Sequence, residues 1–128
     1  MQLAEFLTRV RDRGEYRSQE EAEHVSTAVL WTLATRITQE EADELAAQLP
    51  SPLDEALHLD RGCCESFDRE EFLRRVAQQT GARPRTAEWD ASAVLCTLAD
   101  AVSGGQVDEL LAQLPNSYAE LFGRADLS

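Results

Sequence analysis

Three blocks of this sequence occur twice, in the same order. Ala28-Val29-Leu30-Trp31-Thr32-Leu33 matches Ala93-Val94-Leu95-Cys96-Thr97-Leu98. Asp43-Glu44-Leu45-Ala46-Ala47-Gln48-Leu49-Pro50 matches Asp108-Glu109-Leu110-Leu111-Ala112-Gln113-Leu114-Pro115. Upstream, Phe6-Leu7-Thr8-Arg9-Val10 matches Phe72-Leu73-Arg74-Arg75-Val76. The register slips by one residue between this upstream block and the Ala28 block, which places a deletion in the loop that connects them. A chain that repeats itself is confined to folds built from two like units. The units are read as residues 1–62 and 63–128, together forming one compact domain.

Each unit reads as helix throughout. Leu3, Phe6, Leu7 and Val10 recur at helical spacing, and Gly14 stands where a stop residue belongs. Ser18-Gln19-Glu20-Glu21 is a capping box that opens a long helix to about Thr35. Its stripe is Ala22, Val25, Val29 and Leu33, widened by Ala28, Leu30 and Trp31. Thr38-Gln39-Glu40-Glu41 opens a third helix, stopped by Pro50. Ser51-Pro52 reads as a cap followed by a first-turn proline before Leu53, Ala56 and Leu57. In the second unit Asp68-Arg69-Glu70-Glu71 caps a helix that Gly81 ends. Ala87, Ala91, Val94, Leu95 and Leu98 form the next stripe. Ser103-Gly104-Gly105 reads as a break, and Val107, Leu110, Leu111 and Leu114 as the helix after it. Asn116 is expected to cap a last helix with Tyr118, Leu121 and Phe122, closed by Gly123. The predicted fold is all-α: two tandem repeats of a roughly four-helix bundle, packed with approximate two-fold pseudo-symmetry. Leu30, Trp31 and Leu111 exceed what one stripe needs, so the halves are expected to share an interface.

The doubled signature of Glu-Phe-Leu-x-Arg-Val, Ala-Val-Leu-x-Thr-Leu and Ala-Gln-Leu-Pro resembles the DUF2267 family, over about residues 3 to 123. That resemblance implies an all-helical fold of two similar bundles in a bacterial protein. It brings no activity, cofactor or catalytic residue. The Cys63-Cys64 pair, in a linker from about His58 to Phe67, departs from the pattern.

Charge narrows the function. Asp and Glu number 24 against 12 basic residues, for a net charge of −12. That sign opposes a phosphate backbone, so no nucleic-acid binding is expected and a helix-turn-helix reading is disfavoured. Every basic residue is Arg, which fits a genome rich in GC. No apolar run approaches the ~20 residues that span a bilayer, so no membrane insertion is expected. Met1-Gln2-Leu3-Ala4-Glu5 lacks the basic start and apolar core of a secretory signal, and a cytoplasmic location is expected.

Candidate chemistry is sparse. Cys63 and Cys64 are adjacent, whereas a thiolate pair on one metal needs spacing; with His58 nearby a fourth ligand is still missing. Cys96 stands where Trp31 stands in the other unit and reads as a small core residue. The two histidines, His24 and His58, have no partner visible in sequence. Glu20, Glu21 and Glu23, then Glu40, Glu41, Asp43 and Glu44, then Glu70 and Glu71 invite a carboxylate metal site. Glu21 and His24 have the Glu-x-x-His spacing of di-metal bundles. The second unit does not repeat it, and these acids occupy first turns that favour negative charge. They read as solvated helix starts. Trp31, Trp89 and Tyr118 read as core or interface aromatics. Arg74, Arg75, Arg83 and Arg85 read as surface partners of Glu70, Glu71 and Glu88. Gly104-Gly105 is no phosphate loop.

No catalytic, cofactor or metal residue is assigned, and no cofactor is expected. The expected function is a non-enzymatic interaction or scaffold domain with a protein partner. The alternative is a small-molecule or metal-binding protein that uses the groove between the two units.

Overall fold

A computed structural model describes residues 1–58, 66–81 and 84–123. It is all-helical, with no strand among the described residues. The order is α1 (Leu3–Gly14), α2 (Gln19–Arg36), α3 (Gln39–Ala46) and α4 (Leu53–Leu57). Then come α5 (Arg69–Thr80), α6 (Pro84–Ala101), α7 (Gly104–Ala112) and a closing 3₁₀ helix (Asn116–Phe122). The 62/63 boundary read from the sequence lies outside the described residues.

The expected caps form. Ser18 Oγ accepts from the Glu21 N–H at 3.1 Å, Thr38 Oγ1 from Glu41 at 3.2 Å, and Asp68 Oδ1 from Glu71 at 2.9 Å. Each satisfies an amide that the helix start leaves unpaired. Ser103 does the same for Gln106 at 3.2 Å, so the segment read as a break is the start of α7. Gly81 and Gly123 end α5 and the 3₁₀ helix in the left-handed conformation, as expected. Other termini differ from expectation. Gly14 is the last residue of α1, and Glu15 takes the left-handed turn after it at φ 55°. Gly14 is glycine for another reason: a Cβ there would run into the Tyr16 ring. Pro52 and Pro115, rather than Ser51 and Asn116, precede the last helix of each half, and neither end has a side-chain cap.

The two long helices are central. α2 is buried along most of its length, from Val25 to Arg36, with only Thr27 exposed and Trp31 half-buried in that stretch. It touches α1, α4, α5 and α6. α6 touches α1, α2, α5 and the 3₁₀ helix. Thus α1 packs on the long helices of both halves, and so does α5. One contiguous apolar core results, with Phe6, Leu30, Leu33 and Leu57 from the first half and Phe72, Leu95, Leu98 and Tyr118 from the second. Burial of such side chains stabilises by roughly 1.5–3 kcal/mol each before entropy is counted. Thr32 and Thr97 sit fully buried because each hydroxyl donates to the carbonyl one turn back, Ala28 and Ala93, both at 2.9 Å.

Polar ties add direction to this packing. Arg13 of α1 donates to Thr97 at 2.8 Å and pairs with Asp100 at 2.8 Å. Tyr16 Oη donates to the buried Asp90 carboxylate at 2.5 Å. Arg36 Nε donates to the Phe67 carbonyl at 2.8 Å, and the Tyr118 hydroxyl reaches the Phe67 and Asp68 carbonyls at 2.9 Å. These bonds anchor the chain just ahead of α5.

Candidate functional site

The N-terminal turns of α3 and the C-terminal half of α7 meet across an open cavity of about 430 Å³. Thr38, Glu40, Glu41 and Glu44 line it from the first half, and Glu109, Ala112 and Gln113 from the second. Helix spacing explains the first set. Glu41 and Glu44 are three residues apart and share one face of α3. The face that carries Ala42, Leu45 and Ala46 is buried in the core.

Glu41 differs from its neighbours. It is 2% exposed, whereas Glu40, Glu44 and Glu109 are exposed. Its Oε2 accepts from Gln106 Nε2 at 2.5 Å, and the same nitrogen lies 3.2 Å from Glu44 and 3.5 Å from Glu109. Glu41 Oε1 has no hydrogen-bond partner. Burial, then the Glu44 and Glu109 carboxylates, push the Glu41 carboxyl up to about 7, and the Gln106 amide pulls it partly back. The cluster was read from the sequence as solvated first-turn acid. That holds for Glu40 and Glu44. Glu41 is buried, and its carboxylate meets Gln106 of α7, a contact between residues far apart in the chain.

The other candidates do not gather there. Cys63 and Cys64 lie outside the described residues. Cys96 is half-buried on α6, with Sγ 3.6 Å from the Leu121 carbonyl and 3.8 Å from Ser92 Oγ. His24 and Glu21 share an exposed face of α2. His58 is exposed, with Nδ1 3.4 Å from Asp43. Glu20 and Glu70 are exposed, and Glu23 is half-buried. Glu71 is held below the ordinary carboxylate range by Arg75 and Arg74, at 2.9 and 2.5 Å. Arg69 pairs with Glu88 at 2.7 Å. Arg83 and the side chain of Arg85 lie outside the described residues.

The three aromatics part company. Tyr118 is core, edge-on to Phe72 with ring centroids 5.5 Å apart. Trp31 is half-buried beside Glu71, Arg75 and Gln79 of α5. Trp89 is 51% exposed, and its indole N–H donates to the Gly14 carbonyl at 3.0 Å. It was expected in the core or an interface. Its indole bond places it at the contact of α6 with the end of α1, at the rim rather than in the core.

A second concavity adjoins the first along α7, with Ala112 lining both. Leu111, Ala112, Pro115 and Ala119 line an open groove of about 340 Å³ between α7 and the 3₁₀ helix, with Asp108 and Asn116 at its edge. Leu111 therefore faces the closing helix of its own half rather than the other half.

An all-helical protein with an acidic cavity and an apolar groove on one short helix is the class defined so far. No helix among the described residues is long and apolar enough to cross a membrane. The chain belongs to the DUF2267 family of uncharacterized conserved proteins, whose family model matches residues 4–121. No curated protein matches it.

Proposed function

We propose that the protein is a non-enzymatic interaction domain of the bacterial cytoplasm, built from two copies of one helical unit about an approximate two-fold. Its working surface is the groove between α7 and the 3₁₀ helix. The observation that carries this reading is that groove: Leu111 is left half-buried there, in an apolar cleft with Ala112 and Pro115 exposed beside it. Its occupant is a short amphipathic segment of a partner protein, apolar on one face and basic on the other. The basic face is argued from charge. The protein carries −12 overall, and Asp108, Glu109 and Glu120 are exposed on the two elements that form the groove. Such a field steers a cationic partner while the apolar cleft holds it.

The two-fold is supported by matching lengths, 12 residues for both α1 and α5 and 18 for both α2 and α6. Gln48 and Gln113, equivalent in the repeat, also make reciprocal bonds. Each reaches the start of the other half's third helix, at Ser103 and Thr38.

The test is fluorescence anisotropy with a labelled synthetic Leu/Lys amphipathic helix. Micromolar binding is expected, weakened by salt and reduced at least tenfold by Leu111→Asp with an unchanged melting temperature. Undetectable binding, or equal binding to Leu111→Asp, would reject the groove.

A further inference from the structure

Glu41, Glu44 and Glu109 each offer a carboxylate oxygen, and these oxygens all lie within 4.8 Å of one another. Three carboxylates so close repel unless something between them supplies positive charge or protons. The Gln106 amide faces all three but has only two N–H bonds to give.

A second observation points to a ligand. Glu41 is 2% exposed, it lines the cavity, and its Oε1 is a buried acceptor without a hydrogen-bond partner. Leaving such an oxygen unsatisfied is unfavourable, and a cation held by the Glu41 carboxylate would satisfy it. The donor set is all oxygen, with no thiolate or imidazole among the three. Oxygen sets suit hard cations rather than zinc or copper. Oxygens within 4.8 Å of each other also fit around one ion, since calcium binds oxygen at about 2.3–2.6 Å in flexible geometry. Glu44 and Glu109 are exposed, so the site opens to solvent and an ion could keep water ligands there.

We propose that Glu41, Glu44 and Glu109 form a divalent-cation site of calcium type that ties α3 to α7. Two ligands come from the first half and one from the second, so the ion clips the halves together. The site adjoins the apolar groove, with Ala112 lining both, but none of its three carboxylates lines that groove. It develops the metal-binding alternative raised by the sequence and places it on acidic residues, two of which, Glu41 and Glu44, read as solvated helix starts.

The experiment is calorimetric titration of the whole chain with calcium chloride, after treatment with chelator, alongside thermal melts. One ion per chain is expected to bind saturably, with a rise in melting temperature that matched sodium chloride does not reproduce. Glu109→Gln and Glu44→Gln change exposed residues, so both variants should fold. Each is expected to weaken calcium binding at least tenfold. Absence of saturable binding would overturn the proposal. So would binding that survives in the Glu44→Gln/Glu109→Gln double variant, or a melting shift that sodium chloride matches.

Discussion

Gln48 Oε1 accepts the Ser103 N–H at 2.9 Å, so a side chain just past α3 closes the start of α7. Gln113 Oε1 does the same for the Thr38 N–H at 3.2 Å, just ahead of α3. Gln48 Nε2 also donates to Gln106 Oε1 at 3.2 Å, which orients the amide that faces the carboxylate cluster. Gln48→Leu and Gln113→Leu should each destabilise by about 1 kcal/mol, the net worth of an ordinary hydrogen bond. Chemical denaturation of both variants checks this. Gln48→Leu should cost more, because it also releases Gln106.

Ser26 is fully buried on α2, and its hydroxyl has no hydrogen-bond partner. By the repeat register its counterpart is Ala91, which is also buried. Ser26→Ala should therefore stabilise by about 1 kcal/mol, because it removes an unsatisfied group without opening a large cavity. A shift of the denaturation midpoint to higher denaturant at an unchanged slope is the expected outcome.

Gly14 lies against the Tyr16 ring, which the bond to Asp90 holds in place. Burial raises the Asp90 carboxyl above its ordinary value, and burial with Asp90 raises the Tyr16 hydroxyl too. Gly14→Ala puts a methyl into an occupied position and should cost about 1–3 kcal/mol. Tyr16→Phe in the same background should recover part of the loss by freeing the ring to move. Thermal melts of the single and double variants decide it.

Glu41 sets a pH dependence. Its carboxyl is raised from 4.5 to about 7, chiefly by burial, so the folded state holds the proton more tightly than the unfolded chain. Its contribution to stability is therefore full below about pH 4.5 and declines as pH rises towards 7, then stays level. In chelator, Glu41→Gln should flatten that decline and be the more stable protein above pH 7, by on the order of 2 kcal/mol. Denaturation of both proteins across pH 4 to 8 is the check.

Much of the fold was readable because local signals agreed with each other. The Ser18, Thr38 and Asp68 caps each have Glu three residues on, and apolar stripes follow them. Ser103 has Gln106 at the same spacing, but Gly104 and Gly105 between them are poor helix formers and masked the cap. Gly14 followed the ordinary rule for stop residues, while its actual constraint is the Tyr16 ring, which folds back against it. The candidate site was the least legible part. Glu41 meets its partner Gln106 from the other half of the chain, a contact that no local signal announces. Leu111 looked like surplus core, but its direction depends on where the 3₁₀ helix docks.

Neither half supplies a complete core. α1 rests on α2 and α6, and α5 rests on α6 and α2, so each half lacks a neighbour when made alone. Small domains bury too little surface to tolerate such a loss. The most direct measurement is the NMR spectrum of fragments 1–62 and 63–128, recorded separately and after mixing, beside denaturation of the whole chain. The separate fragments should be poorly dispersed or self-associated, and the whole chain should unfold in one transition. Sharp, dispersed, monomeric spectra from both fragments would contradict the shared core and leave two independent modules in its place.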